Sequence, residues 1–550
     1  MNRLCLVAAG LFSMGVLSAA AEVKMPAIFG DHMVLQGGKT IPVWGMAAPG
    51  EAVTVTLGKD TKKTKADAAG KWRVDLKAEK ASTAATTLLV KGTNELTFTD
   101  VLIGDVWVAS GQSNMEFGVK GSSSSAAALA SGNQPMIRLF TVPRATAAYP
   151  MSDIGPIKTE GVGKWWVCTP ESLGYGVWNG FSAVAYFFGR DIQKFTGMPV
   201  GLIHTSWGGT PAEAWTPYDD LQKEPLLADV AANHAKLLAG YDAAMTSLPQ
   251  SIADYKEKHA AWLADVKPGN DAALKAWQAR VDATPVGEPL PVRPALVPEP
   301  QMPDPTGGPN HATALYNAML APIIPYGIKG AIWYQGESNA GRAVAYRTLF
   351  PLMIKSWREK WGEGDFPFLF VQLADFNAQW GMLREAQSKT LSVPHTGMAV
   401  ITDVGTYKDI HPPFKEIVGD RLALAAEHVA YGKKLVYSGP VYTSMKVEGA
   451  SVRLSFDSVG GGLAIVKRPV SGKDVVEAPD DVLVGFTVAG DDKIWHKAMA
   501  QIVGNDVVVT SADVTHPVAV RYGWDAPPVA NLYNKEQLPA SPFRTDDWEK

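Results

Sequence analysis

Between Val101 and Tyr431, short apolar runs alternate with stretches of helical periodicity, and this alternation restricts the fold more than any other feature of the chain. The apolar runs are Val106–Ala109, Val200–His204, Ile328–Tyr334, Phe368–Leu373 and Met398–Val404. Helical spacing covers Ser182–Phe195, Val344–Trp361 and Phe414–Tyr431. Strands that alternate with helices imply βαβ units, hence an α/β fold with a doubly wound parallel sheet. The flanks read differently. Val53–Leu57, Lys71–Leu76 and Glu95–Thr99 alternate in polarity, with turn signals at Pro49-Gly50 and Ala69-Gly70, as expected of a small antiparallel sandwich. Ser451–Phe456, Val482–Phe486 and Asp506–Thr510 repeat that character near the end. The expected division is an N-terminal β region (22–100), an α/β region (101–433) and a C-terminal β region with a return tail (434–550). An insertion at about 219–309 opens helical and closes proline-rich, the latter part running as an extended connection.

Residues 1–21 have the layout of a cleaved secretory signal, with Asn2-Arg3, an apolar Leu4–Leu17 and small Ala19-Ala20-Ala21 before Glu22. That apolar run is shorter than the ~20 residues of a spanning helix, so a periplasmic or secreted protein with no membrane anchor is expected. Cleavage would remove Cys5 and leave Cys168 alone, without an intrachain disulfide. The net charge is -4 and no Lys/Arg run stands out, which argues against a nucleic-acid partner. The 17 tryptophans suit both a core and a carbohydrate ligand.

Each of four predicted strands ends in a turn rich in glycine or polar residues. The first carries Ser113, the second Gly208 and Gly209, the third Gly336, Glu337 and Asn339, and the fourth Asp409 and His411. In a parallel sheet all carboxyl ends open on one edge, so turns far apart in the chain can converge there. A serine hydroxyl needs a base to become a nucleophile. His411 can take the Ser113 proton and return it to a leaving alcohol, while Asp409 holds the imidazole tautomer. Backbone N–H groups at Ser113 and at Gly208 or Gly209 can meet an oxyanion, with the Asn339 side chain as a third donor. The plain alternatives are a helix-capping serine, ordinary glycine turns and a structural histidine. No His-Glu-x-x-His stretch is present and His311, His395 and His411 lack ligand spacing. No metal and no cofactor are expected, and activity should resist chelators.

Gly111-Gln-Ser-Asn-Met115, Trp207-Gly-Gly-Thr-Pro-Ala-Glu-Ala-Trp215, Trp333-Tyr-Gln-Gly-Glu-Ser-Asn339 and Asp409-Ile-His-Pro412 resemble the signature blocks of the sialate O-acetylesterase family, within the SGNH (GDSL-like) hydrolases. The resemblance extends to Pro26–Gln36, Val520–Trp524, Asn531–Tyr533 and Pro542–Arg544. It implies hydrolysis of acetyl esters on sugars through an acyl-serine, without metal. It makes Ser113 the nucleophile, His411 the base, and Gly208 or Gly209 with Asn339 the oxyanion hole. Gln112, Asn114, Trp207, Gln335 and Glu337, from the same blocks, are expected to touch substrate. SGNH enzymes typically carry an aspartate three residues before the histidine. Here that position is Lys408, so Asp409, Asp403, Glu337 or a Ser-His dyad alone are the open choices. Ser338 stands where many SGNH enzymes have asparagine, and Asn339 is assigned that role.

For the substrate, acetylated hemicellulose such as xylan, or its oligosaccharides, is the leading expectation. It would use aromatic platforms, for which Trp165, Trp166, Trp178, Trp207 and Trp380 are available. Sialate is the alternative and would call for an arginine fork, from Arg138, Arg144 or Arg342. A catalytically inactive carbohydrate-binding protein is the alternative from another class.

Overall fold

The computed structural model describes residues 22–548 except 472–473, 476–478, 480 and 527–528. The expected signal segment, residues 1–21, lies outside the described residues.

The fold is α/β, with a large mixed sheet and additional β-sheets. Along the central sheet the strands run Thr396–Val400, Phe368–Gln372, Gly330–Tyr334, Glu95–Gly111, Val200–Ser206, Gln134–Thr141 and Trp165–Cys168. Every neighbouring pair is parallel except the last. The sequence reading lacks the strands Gln134–Thr141 and Trp165–Cys168 and the helix Gly381–Lys389. Pro135 and Arg138 interrupt the apolar run of the first strand, and the second has only four residues.

The Glu95–Gly111 strand holds the molecule together. Its C-terminal half pairs with Val200–Ser206 on one side and Gly330–Tyr334 on the other. The strand order reverses at this point, where open α/β sheets form a crevice. Its N-terminal half pairs with Ser82–Lys91 and Val34–Gln36. The expected boundary between residues 100 and 101 therefore falls inside one continuous strand of 17 residues. Buried side chains from both halves form a single core, which Val53, Val55 and Leu88 share with Val108, Ile332 and Phe370.

Helices cover the sheet where the sequence provides caps. The Ala183–Thr196 helix starts where the Ser182 side chain accepts from the Ala185 N–H (3.2 Å), and it stops at Gly197 with φ +67. Helices Ala343–Trp361 and Lys415–Val429 complete the layers. Trp107, Trp215, Trp333 and Trp357 are fully buried, so much of the tryptophan excess is core. No helix among the described residues is long and apolar enough to cross a membrane.

The insertion is a helical pair, Ala228–Asp265 and Lys267–Ala283. In the first helix only Ala231 and His234 are buried. The proline-rich segment returns along the pair, with Val297 O accepting from Asn270 Nδ2 (2.8 Å) and Pro291 O from Trp277 Nε1 (2.9 Å). The C-terminal β region has its own core, built on Val452, Leu454, Val507, Val509 and Tyr522. It is tied to the central sheet by polar contacts. Gln372 Nε2 donates to Ser541 Oγ (2.9 Å), and Tyr533 Oη to Asp403 Oδ2 (3.0 Å).

Candidate active site

At the end of its strand, Gly111 takes φ +141, and a Cβ there would stand 2.1 Å from Tyr334 O. Only glycine lets the chain turn this close to the neighbouring strand. Ser113 opens the short helix Ser113–Glu116 and is the one partly exposed residue among buried Gly111–Phe117. Its Oγ lies 2.9 Å from His411 Nε2. With the ring proton on Nδ1, the serine hydroxyl donates to Nε2. The Trp178 ring meets His411 edge-on, 5.0 Å between centroids.

Asp409 stands behind the imidazole. Its Oδ1 accepts from the His411 backbone N–H (2.8 Å) and lies 3.4 Å from Nδ1. Partial burial raises the Asp409 carboxyl, but the hydrogen bonds and charge of His411 outweigh it and leave it below the usual carboxylate range. The side chain is 68% exposed, so this is a wet and loose pairing. The other two acids are differently engaged. Asp403 is gripped by both Arg421 nitrogens (2.6 and 2.7 Å) and by Tyr533. Glu337 Oε1 accepts from Asn114 Nδ2 (2.6 Å), while its Oε2 is buried without a partner among the described residues. Burial raises the Glu337 carboxyl above its ordinary range.

The loop carrying His411 is braced from outside the sheet. Tyr407 Oη donates to Glu288 O (2.5 Å) and Lys408 Nζ to Asp282 O (3.1 Å), both in the insertion. Tyr407 N also donates to Asp474 O (2.7 Å). From the sheet side, Asn114 Nδ2 donates to Ile410 O (3.0 Å).

Four residues expected to face substrate or oxyanion are instead buried and spoken for. Gln112 Oε1 accepts from the Gly336 and Ser338 N–H groups, both at 3.3 Å. Asn114 bridges Glu337 and Ile410 and accepts from Lys415 Nζ. Gln335 Nε2 donates to Asn339 Oδ1 (2.7 Å), and its Oε1 accepts from Tyr346 Oη (3.0 Å). Asn339 Nδ2 donates to Glu213 Oε2 (2.9 Å), and its Oδ1 also accepts from Ala212 N (2.9 Å). These side chains interlock the first three turns rather than line a cleft. Glu337 belongs to the same lattice. Lys415, absent from the sequence reading, completes it. Its ammonium is wholly buried, 4.9 Å from the Phe117 ring centroid and 5.3 Å from that of Tyr334. Burial pulls it down to about 7 against the pull of Glu337 and Asp409.

The glycine turn also departs from expectation at one position. Gly208 N donates to Glu116 Oε2 (3.1 Å), so this amide is occupied. A Cβ on Gly208 would sit 3.2 Å from Ser113 Cβ, which explains the glycine without an oxyanion role. Glu116 is buried, its carboxyl raised by that burial, and it accepts from Arg144 Nε (2.7 Å). Gly209, at φ +76, is exposed, and among the described residues its N–H has no acceptor. The Ser113 N–H, in the first turn of its helix, has no intrahelical partner. Among the described residues, the Ser113 and Gly209 N–H groups are therefore both without an acceptor.

Of the tryptophans, Trp165 and Trp380 are buried, while Trp178 and Trp207 remain partly exposed at the site. Arg144 lies over the Trp207 ring at 5.3 Å. Each candidate arginine faces a carboxylate: Arg138 with Asp100, Arg144 with Glu116 and Arg342 with Glu213. Among the described residues no three His, Cys, Asp or Glu side chains gather as a metal-binding set.

The family model for carbohydrate esterase, sialic acid-specific acetylesterase, matches residues 308–424. That stretch holds Glu337, Asp409, His411 and Lys415. The sialate O-acetylesterase of Mus musculus is 27% identical over 96% of this chain and 95% of its own length. The Homo sapiens sialate O-acetylesterase is also 27% identical, over 96% and 93%. The crystal structure of a novel carbohydrate acetylesterase from Xanthomonas citri aligns with a TM-score of 0.73 and 36% identity, covering 96% of this chain and 100% of that one.

Proposed function

We propose that this chain, which belongs to the sialate O-acetylesterase family of carbohydrate esterases and is a carboxylic ester hydrolase, removes acetyl groups from sugar hydroxyls through an acyl-enzyme on Ser113. The 2.9 Å contact between Ser113 Oγ and His411 Nε2, at the reversal point of the sheet, carries this reading. Ser113 Oγ attacks the acetyl carbonyl carbon as His411 Nε2 takes its proton. The carbonyl oxygen becomes an oxyanion that accepts from the Ser113 and Gly209 N–H groups. The C–O bond to the sugar then breaks, and His411 returns the proton to the departing sugar oxygen. Water, deprotonated by His411, attacks the carbonyl carbon of acetyl-Ser113, the bond to Oγ breaks, acetate leaves, and His411 returns the proton to Ser113 Oγ. Asp409 holds Nδ1 in its protonated form and favours the imidazolium. The arrangement corresponds to an SGNH-type site, and the first 21 residues suit a protein acting outside the cytoplasm.

The preferred substrate in this reading is acetylated xylan or its oligosaccharides. Trp178 meets His411 edge-on and Trp207 opens the glycine turn, both with partly exposed rings, while each candidate arginine already faces a carboxylate. O-acetylated sialic acid is the second reading. It is favoured by the mammalian relatives and by Arg144, 31% exposed beside the glycine turn. Acetate release from acetylated xylo-oligosaccharides and from O-acetylated sialic acid, side by side, decides between them. Ser113→Ala should abolish release from whichever is used, and full activity in that variant would sink the mechanism.

A further inference from the structure

Beside the glycine turn lies a recess of about 170 Å³ that the mechanism does not use. Three parts of the chain build it. Pro211 and Glu213 come from the turn after Gly208, and Arg342 comes from the turn after Glu337. Asn233 stands in the first insertion helix, and Asn310 and His311 lie where the insertion rejoins the sheet. The walls are fixed. Glu213 Oε2 accepts from Asn339 Nδ2 (2.9 Å), and its Oε1 faces Arg342 Nη1 (3.2 Å). Thr313 N donates to Glu213 O (2.9 Å), and His311 Nε2 lies 3.2 Å from His234 Nδ1 on the insertion helix. Gly307, at φ +82, lets the loop cross the His311 ring, where a Cβ would stand 2.7 Å from Cγ.

The rim, by contrast, is unspent. Asn233, Asn310 and Arg342 are exposed, and the two asparagine side chains have no hydrogen-bond partner among the described residues. Two free carboxamides and a half-exposed guanidinium around a small concavity supply donors and acceptors at several angles, which is what the hydroxyls of a pyranose need. Pro211 is three residues from Gly208, so the recess lies within about 11 Å of the oxyanion turn along the chain. A short oligosaccharide with its acetyl group at Ser113 can reach it.

We propose that this recess is a sugar subsite that holds a neutral pyranose unit of the substrate chain other than the acetylated one, with Asn233, Asn310 and Arg342 as its specificity-determining residues. The helical insertion then serves to supply one wall of that subsite. The assignment rests on the acyl-serine reading of Ser113.

The test compares kcat/KM for an acetylated xylo-oligosaccharide, an acetylated monosaccharide and 4-nitrophenyl acetate in wild type, Asn233→Ala/Asn310→Ala and Ser113→Ala. Wild type should prefer the oligosaccharide to the monosaccharide. The double variant should lose about tenfold on the oligosaccharide, the size expected of two lost hydrogen bonds, and little on the other two. Unchanged aryl acetate hydrolysis also certifies its fold. Equal kcat/KM for the oligosaccharide in wild type and double variant would overturn the subsite. Retained activity in Ser113→Ala would instead overturn the reading of the site, and the subsite with it.

Discussion

The serine and the histidine reach each other from two unlike kinds of structure. Ser113 lies two residues past the end of a strand paired on both sides in the middle of the sheet, and its turn is locked by buried bonds through Gln112, Asn114 and Glu337. His411 sits on a loop that follows a sheet-edge strand, Thr396–Val400, and depends on its neighbours. The insertion grips that loop at Tyr407 and Lys408, the C-terminal region meets it at Asp474, and Asn114 ties Ile410 to the serine turn. The position of Ser113 is thus set by the sheet, whereas that of His411 is set by peripheral contacts. A loss in the sheet half should therefore appear as instability, and a loss in the loop half as lost rate with stability kept.

The sharpest way to break this contrast is His411→Ala. It should cut kcat on acetylated oligosaccharide by roughly 10⁴-fold while the melting temperature stays near wild type. A large fall in melting temperature would mean that the loop is part of the structural frame after all. Asn114→Ala, at the joint, should cost both, with roughly 2–4 kcal/mol of stability lost because Glu337, Ile410 O and Lys415 all lose their shared partner. Urea unfolding and kcat measured together check it.

Lys415 offers a test by pH. Burial draws its ammonium down to about 7, so the unfolded chain binds the proton more tightly than the native one. Stability contributed by this group should therefore rise from about pH 7 towards pH 10, where the unfolded lysine also deprotonates. Lys415→Met should flatten that rise, and an unchanged slope in denaturant titrations at pH 7 and 9 would argue against the buried ammonium. Asp409→Asn should be milder, about fivefold in kcat, because the pair is 3.4 Å apart and open to water. The smallest effect belongs to Tyr407→Phe, which removes one bond to Glu288 O and should lower kcat by about two- to fivefold with stability almost unchanged.

The same contrast explains what was legible in the sequence. Ser113, Asp409 and His411 stand in turns after apolar runs, and the alternation of strands and helices was enough to predict that such turns converge. Gln112, Asn114, Gln335 and Asn339 are buried rather than exposed as expected, because a polar side chain in a motif turn has the same signature whether it meets a ligand or another turn. Only burial separates the two cases, and burial follows from the packing of segments remote in sequence. Lys415 left no trace for the same reason, since a lysine in the first turn of a helix ordinarily reads as solvated. The N-terminal boundary was hidden because the polar alternation of Glu95–Thr99 passes into the apolar run within one strand, changing partners without a break in the backbone.

Covalent labelling reads out directly whether Ser113 is a reactive nucleophile. The purified protein is treated with a fluorophosphonate, its intact mass is recorded, and the adduct is mapped by peptide sequencing. One adduct is expected, on the peptide containing Ser113, formed far more slowly in His411→Ala and absent in Ser113→Ala. An active enzyme that stays unlabelled, or an adduct on another serine that abolishes acetate release, would contradict it.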